Sequence, residues 1–288
     1  MVRASRLQSC RPEARTTMGA WSAMIFPYQE IFEGVETTLI EAGSRILPIE
    51  TIRQKLEPFK HVEGKTLTDA EYWWILTTVI FYSGFRAETV DAHLDTIRQD
   101  FSDYSSTAAY GQDKVNQILA DPKMIRNSRK VQACVKNAQT FRDIISQHGG
   151  FQHYISSLAP GDSFENLMLF KEELEYRFDG IGRITTYHIM TEIGLPVLKP
   201  DRVIGRVFER LGLIESEKQL LKAVIQGRKF AQATGHPIRY IDIVFVAFGQ
   251  MELSWLGIER GICLERYPSC AICKVKNHCK YYAQNMAT

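Results

Sequence analysis

The chain has no run of about 18 apolar residues, so no membrane-spanning helix is expected. Its longest apolar stretches, such as Ile241 to Gly249, are short enough to read as core. It also has little charge bias. Thirty-five Lys and Arg face 33 Asp and Glu, a formal net charge of +2. Taken alone, that balance argues against a strongly basic nucleic-acid binder. No secretory signal is expected. The first 23 residues carry Arg3, Arg6, Arg11 and Arg15 against the single acid Glu13, with no apolar run among them. Residues 1–23 read as a disordered tail or an over-long start before Met24; an organelle transit peptide is the other reading. No internal repeat, low-complexity segment or sustained polar–apolar alternation stands out, so neither a repeat array nor a sheet is expected. What is there is ordinary for a globular protein: 45% hydrophobic and 24% charged residues over 288 positions. That excludes a mostly disordered, collagen-like or disulfide-dense chain. It allows one large or two small domains.

The pattern is helical nearly throughout. Thr68-Asp69-Ala70-Glu71 supplies a cap and early acids for a helix reaching Ser83. Further helices are expected over Glu88–Phe101, Gln112–Ala120, Met124–Gln147, Ser163–Tyr176, Ile184–Ile193, Val203–Leu211, Glu215–Ile225 and Pro237–Leu253. The fold class is therefore all-α.

Cysteine is scarce and unevenly placed. Cys10 and Cys134 are isolated, whereas Cys263, Cys270, Cys273 and Cys279 fall within 17 residues. Four crowded thiols without a signal point to a metal or cluster in a reducing compartment rather than to disulfides. Four thiolates can close a shell around zinc or hold a [4Fe–4S] cube. Only Cys270 and Cys273 form a close pair here. The wider spacing of the others suits the bulkier cubane better, with zinc as the alternative.

Two further features carry chemistry. Phe178-Asp179-Gly180-Ile181-Gly182-Arg183 lies between two helical segments. Its glycines allow a tight turn with open N–H groups, and the following helix adds a positive dipole end. That is a seat for phosphate that reads no sequence; an ordinary helix–helix turn is the blander reading. Farther on, Lys199-Pro200-Asp201-Arg202 stands directly before a helical pattern. Asp201 there is at least an N-cap. The same place suits a carboxylate that stabilises a cationic sugar and accepts a proton from attacking water.

These motifs, in this order, resemble the helix-hairpin-helix DNA glycosylase superfamily. The spacing Cys263-x6-Cys270-x2-Cys273-x5-Cys279, with Pro268 two residues before the second Cys, is similar to the iron–sulfur loop of its endonuclease III and adenine-glycosylase branch. Met124 to Ala133, followed by Asn137-Ala138, resembles a helix of 3-methyladenine DNA glycosylase I. The Cys-Gly-Trp opening of that family's zinc site is absent. The resemblance implies a two-lobed fold with a C-terminal cluster loop. A helical barrel would take residues 67–198, and a second lobe residues 24–66 with 199–288, including the loop 263–279. It implies that Asp201 is catalytic and that Gly180, Ile181, Gly182 and Arg183 bind DNA. Arg266, Lys274 and Lys276 would add phosphate contacts from the loop.

Base excision needs a nucleotide rotated out of the stack. Tyr82, Phe85, Trp74 and Tyr187 are the candidates for pocket or wedge, with core packing as the competing reading for such aromatics. Relatives that also cut the backbone carry a Lys after the hairpin Gly-Arg; this chain has Ile184. The expectation is a monofunctional glycosylase. It would act as a monomer on double-stranded DNA with a flipped-out damaged or modified base, in the cytoplasm beside the nucleoid if the source is bacterial. The competing function is a non-catalytic iron–sulfur DNA-binding or redox-sensing protein, which would need the hairpin and the cluster but not Asp201.

Overall fold

The computed structural model describes residues 26–158, 161 and 163–285. Among these the chain is helical between its turns, with one isolated antiparallel bridge, Leu253 to Ile258. No described helix is long and apolar enough to cross a membrane. The reading of residues 1–23 lies outside the described residues.

Two apolar cores organise the molecule. The first gathers side chains from Tyr72 to Val197 together with Val224, and the second joins Ile31–Leu56 to most of the segment beginning at Leu198. Val197 and Leu198 are adjacent and both fully buried, yet they belong to different cores. The chain therefore crosses between cores just before the Lys199-Pro200-Asp201 turn. Aromatics fill the first core. Phe141 stacks on Phe151 at 4.7 Å, and the buried Trp73 indole donates to the Phe101 carbonyl at 2.6 Å. Each such ring contributes about 1.5–3 kcal/mol of burial.

The helix Asp69–Tyr82 opens on a complete capping box. The Glu71 N–H donates to Thr68 Oγ1 at 3.3 Å, and the Thr68 N–H donates to Glu71 Oε2 at 2.7 Å. Helix Gln112–Ala120 has its expected bounds. Elsewhere the periodicity overran. The stretch from Glu88 to Phe101 is two short helices, Ala87–Asp91 and Leu94–Phe101. They part at His93, whose ring meets the Lys123 carbonyl at 2.7 Å. Residues 213–219 form a turn rather than a helix start. There Glu215 and Glu217 N–H groups donate to the side chains of Gln219 and Glu209. The helix proper is Leu220–Thr234. Polar side chains that bond nearby N–H groups compete with helix in this way. Helix Ser128–His148 starts four residues later than expected because the Asn127 side chain caps it, accepting from Lys130 N–H at 3.2 Å.

Candidate active site

The hairpin sits between helices Phe164–Arg177 and Arg183–Glu192. Gly180 has φ +74°, a backbone state that favours glycine, while Gly182 is extended and caps the second helix. No side chain caps that helix, and Gly182 and Arg183 are exposed, which leaves its N-terminal N–H groups open to an anion. Ile181 is buried at 7% exposure and anchors the turn. The clamp came from a residue that sequence reading did not single out for this work. Buried Asn137 donates to the Asp179 carbonyl at 2.8 Å and accepts from the Asp179 N–H at 2.7 Å. Asn137→Ala removes both bonds and leaves backbone groups unanswered. It is expected to cost about 2–4 kcal/mol in urea unfolding and to weaken duplex binding.

The chain next builds the Asp201 turn. Asp201 caps helix Arg202–Arg210, and its Oδ1 accepts from Val203 N–H at 2.9 Å and Ile204 N–H at 3.1 Å. Both bonds fall on Oδ1; among the described residues Oδ2 takes none. Beneath the turn lies Asp242, 2% exposed, which accepts the Lys199 N–H at 3.2 Å. Burial pushes its carboxyl up to about 6, with the nearby Asp201 charge adding to the rise and Arg239 opposing it.

Lys199, two residues before Asp201, lines a cleft of about 470 Å³, large enough for a small ligand; Asp201 is not among its lining residues. Tyr82, Phe85, Asp91, His188, Glu192 and Lys199 are among its lining residues. Two of the four aromatic candidates therefore line it. Tyr82 donates to the Asp91 carboxylate; burial, that bond and the acidic surroundings push its hydroxyl up to about 12, so it remains a donor. Phe85 is 38% exposed and follows Gly84, whose φ is +78°. The Lys130 ammonium lies 5.3 Å from the Phe85 ring and donates to the Ile80 and Ser83 carbonyls, tying down the turn that presents the ring. Trp74 and Tyr187 are elsewhere. Trp74 is half-buried under the Arg98 guanidinium at 4.5 Å. Tyr187 is 2% exposed in the first core, its hydroxyl 3.6 Å from the Met168 sulfur. Burial, reinforced by the Lys199 and Arg239 charges, pushes His188 down to about 3. Its 3.7 Å approach to Glu192 is therefore a contact of a neutral ring.

At the other end of helix Arg202–Arg210, all four clustered cysteines line one pocket with Arg210 and Val207. All four are free thiols. Arg210 donates to Cys263 Sγ at 3.3 Å, and the Tyr282 N–H donates to Cys279 Sγ at 3.4 Å. Burial pushes the Cys273 thiol up to about 12, and the other three cysteines add to the rise. A set of thiolates with N–H donors aimed at sulfur fits an iron–sulfur cluster chemically. Among the described residues, no group of three or more His, Cys, Asp or Glu side chains is arranged to hold a single metal ion. Of the loop's cations, Arg266 is exposed. Lys274 instead pairs with Glu41 at 2.9 Å, and Lys276 lies 5.9 Å from the Tyr282 ring. Ile184 is 36% exposed in the first turn after the hairpin.

With that geometry in place, the relatives are informative. The methyladenine glycosylase family model matches residues 62–177. Endonuclease III of Rickettsia felis is 29% identical over 121 residues, which cover 39% of this chain and 46% of that protein. The chain thus spans about half the length of the curated relative it matches. Among solved structures, a trapped endonuclease III–DNA covalent intermediate superposes with a TM-score of 0.52 at 16% identity, covering 84% of this chain and all of that one. A 3-methyladenine DNA glycosylase I from Staphylococcus aureus covers 48% of this chain and 82% of its own, with a TM-score of 0.41 at 18% identity. The chain carries the fold of that endonuclease III structure, all-α and of the helix-hairpin-helix glycosylase type, and its residues 62–177 resemble the methyladenine glycosylase family.

Proposed function

We propose that the protein is a DNA N-glycosylase that hydrolyses the bond between a damaged or modified base and its sugar. The observation that carries this reading is the Asp201 carboxylate. One of its oxygens is fixed by the helix cap and the other takes no hydrogen bond among the described residues, two positions from Lys199, which lines a cleft of base-holding size. In this mechanism the uncapped N–H groups at Gly182 and Arg183 hold a phosphate of duplex DNA. Phe85 fills the gap left in the stack, and the rotated base enters the cleft against Tyr82. As the glycosidic bond breaks, its electrons leave with the base, and the Asp201 charge stabilises the cationic sugar. Water then adds to C1′ and gives its proton to Asp201, leaving an abasic site.

Cys263, Cys270, Cys273 and Cys279 would hold a [4Fe–4S] cluster, which would supply a rigid cross-link for the basic loop. Zinc is the alternative occupant. Helix Arg202–Arg210 is capped by Asp201 and bonded through Arg210 to Cys263, so the loop and the catalytic turn share one rigid element. The two cores support a division into a barrel at 67–198 and a second lobe of 24–66 with 199–288.

A hydrolytic, monofunctional reaction follows from Ile184, which has no nucleophile to offer. One observation favours a second reading, in which strand cleavage accompanies excision: Lys199 lines the cleft. An amine displacing the base would form an N–C1′ bond; opening of the C1′–O4′ bond, with the amine's proton passing to O4′, would then leave an imine that borohydride reduces to a stable cross-link. Both readings are tested by mass-spectrometric base release from duplexes carrying alkylated, deaminated, oxidised or phage-type modified bases, with and without borohydride. Free base without a cross-link supports hydrolysis. A cross-link lost in Lys199→Met supports the second reading. Tight duplex binding with no base released leaves the non-catalytic DNA-binding protein.

A further inference from the structure

A triad of charges, with Asp242 buried, Arg239 largely so and Glu192 about one-third exposed, links the cleft to the Asp201 turn. Arg239 lies on helix Ile238–Gly249, with its side chain 14% exposed. One arm, Nη2, meets Glu192 Oε1 at 2.8 Å, and Glu192 lines the cleft. The other arm, Nη1, meets Asp242 Oδ2 at 2.7 Å. Asp242 in turn accepts, through Oδ1, the Lys199 N–H two residues before Asp201. The Arg239 N–H itself donates to Glu63 Oε1 at 3.0 Å, which fixes the start of the helix that carries the guanidinium.

Stability alone is a poor reason for such an arrangement. Taking one guanidinium and a fully buried carboxylate out of water is costly, and well-packed apolar side chains serve a core as well or better. What the triad does provide is register. Glu192 ends the hairpin helix, Asp242 underlies the catalytic turn, and a planar fork with two arms can hold both at once. We propose, resting on the glycosylase reading, that Arg239 is a positioning residue that holds the cleft wall and the Asp201 turn in fixed relation. It touches neither base nor sugar. It acts through Glu192 on one side and through Asp242 and Lys199 on the other.

Loss of the fork lets two groups of a near-attack geometry drift apart, and displacements of about 1 Å there cost on the order of 100-fold in rate. Arg239→Met alone strands the Asp242 charge in the core and can unfold the protein, so the informative variant is Arg239→Met with Asp242→Asn. The Asn still accepts the Lys199 N–H, and no buried charge is left unpaired. Arg239→Lys keeps the charge but offers one point instead of two.

The experiment uses the full chain, with single-turnover base release from the best duplex of the panel. Alongside it run the dissociation constant for the same duplex carrying an abasic site and the thermal midpoint. The double variant is expected to keep the midpoint within a few degrees and the dissociation constant within about two-fold, while the chemical rate falls about 10- to 100-fold. Arg239→Lys is expected to recover less than half of that loss. A folded double variant with wild-type rate overturns the proposal. So does a rate loss matched by an equal loss of abasic-duplex binding or a collapsed midpoint, which marks Arg239 as structural. A wild-type protein that releases no base from any duplex sinks the glycosylase reading and this inference with it, whereas an active wild type isolates the inference.

Discussion

Asp201→Asn is expected to lower base release by about three orders of magnitude and to leave duplex binding and stability close to wild type. The substitution separates the two things Asp201 does. As a cap, its Oδ1 accepts from the Val203 and Ile204 N–H groups, and asparagine caps as well as aspartate. The helix Arg202–Arg210, and the cysteine pocket that Arg210 supports, therefore keep their support. The charge and the proton acceptor are both lost, and these are what a cationic sugar and an attacking water need. Asp201→Ala serves as the contrast. It loses the charge and the cap together, so it should add about 1 kcal/mol of destabilisation to the same loss of turnover. Single-turnover release and urea unfolding of both variants separate these effects. Near-normal turnover by a folded Asp201→Asn protein would remove Asp201 from the chemistry.

Replacing Cys273 by serine has the second large effect. Cys273 lines one pocket with the other three cysteines. Apart from the thiols the loop is held mostly by polar contacts, such as Arg210 with the Leu264 and Glu265 carbonyls and Lys274 with Glu41. Ile262, Leu264 and Val275 are its buried apolar side chains, while Arg266 and Tyr267 are exposed. A loop that cannot bury enough surface depends on its cross-link, and structural metal centres supply folding energy outright. The expected outcome is loss of the broad brown absorbance and of bound iron and sulfide. Several kcal/mol of stability should go with them, with new proteolytic cleavage between Cys263 and Cys279. A colourless wild-type protein containing one zinc would assign the other occupant. A Cys273→Ser protein with unchanged colour and protease resistance would show that the four thiols do not act as one site.

What was legible in the sequence was local. The hairpin glycines, the Asp201 cap and the cysteine spacing each fit within a few turns of chain, where residue type and spacing fix the geometry. The capping box at Thr68 was readable for the same reason. What was not legible joins distant segments. Asn137 clamps Asp179 across 42 positions, and Arg239 reaches Glu192 across 47. No local pattern marks a buried Asn as a hairpin clamp, or an Arg on an otherwise apolar helix as a bridge. Aromatic stripes were ambiguous for the same reason. Tyr82 and Tyr187 have the same chemistry on neighbouring helices, and only the packing places one in the cleft and the other in the core. The low net charge has a similar explanation. Acids offset cations pairwise, as Glu172 and Glu175 do for Lys171, and Glu41 for Lys274. Lys274 is therefore partly spent on holding the loop to helix Tyr28–Gly43, so the expected DNA affinity is modest and salt-sensitive.

The central claim is that Asp201 and the cleft lined by Lys199 release a base. Mass spectrometry of duplexes carrying the panel of modified bases, incubated with wild-type protein and with Asp201→Asn, tests it most directly. The account predicts one class of free base from the wild type, an abasic strand that breaks on alkali treatment, and about a thousandfold less release from the variant at equal DNA binding. No release from any duplex by a folded, cluster-loaded, DNA-binding wild-type protein would contradict it.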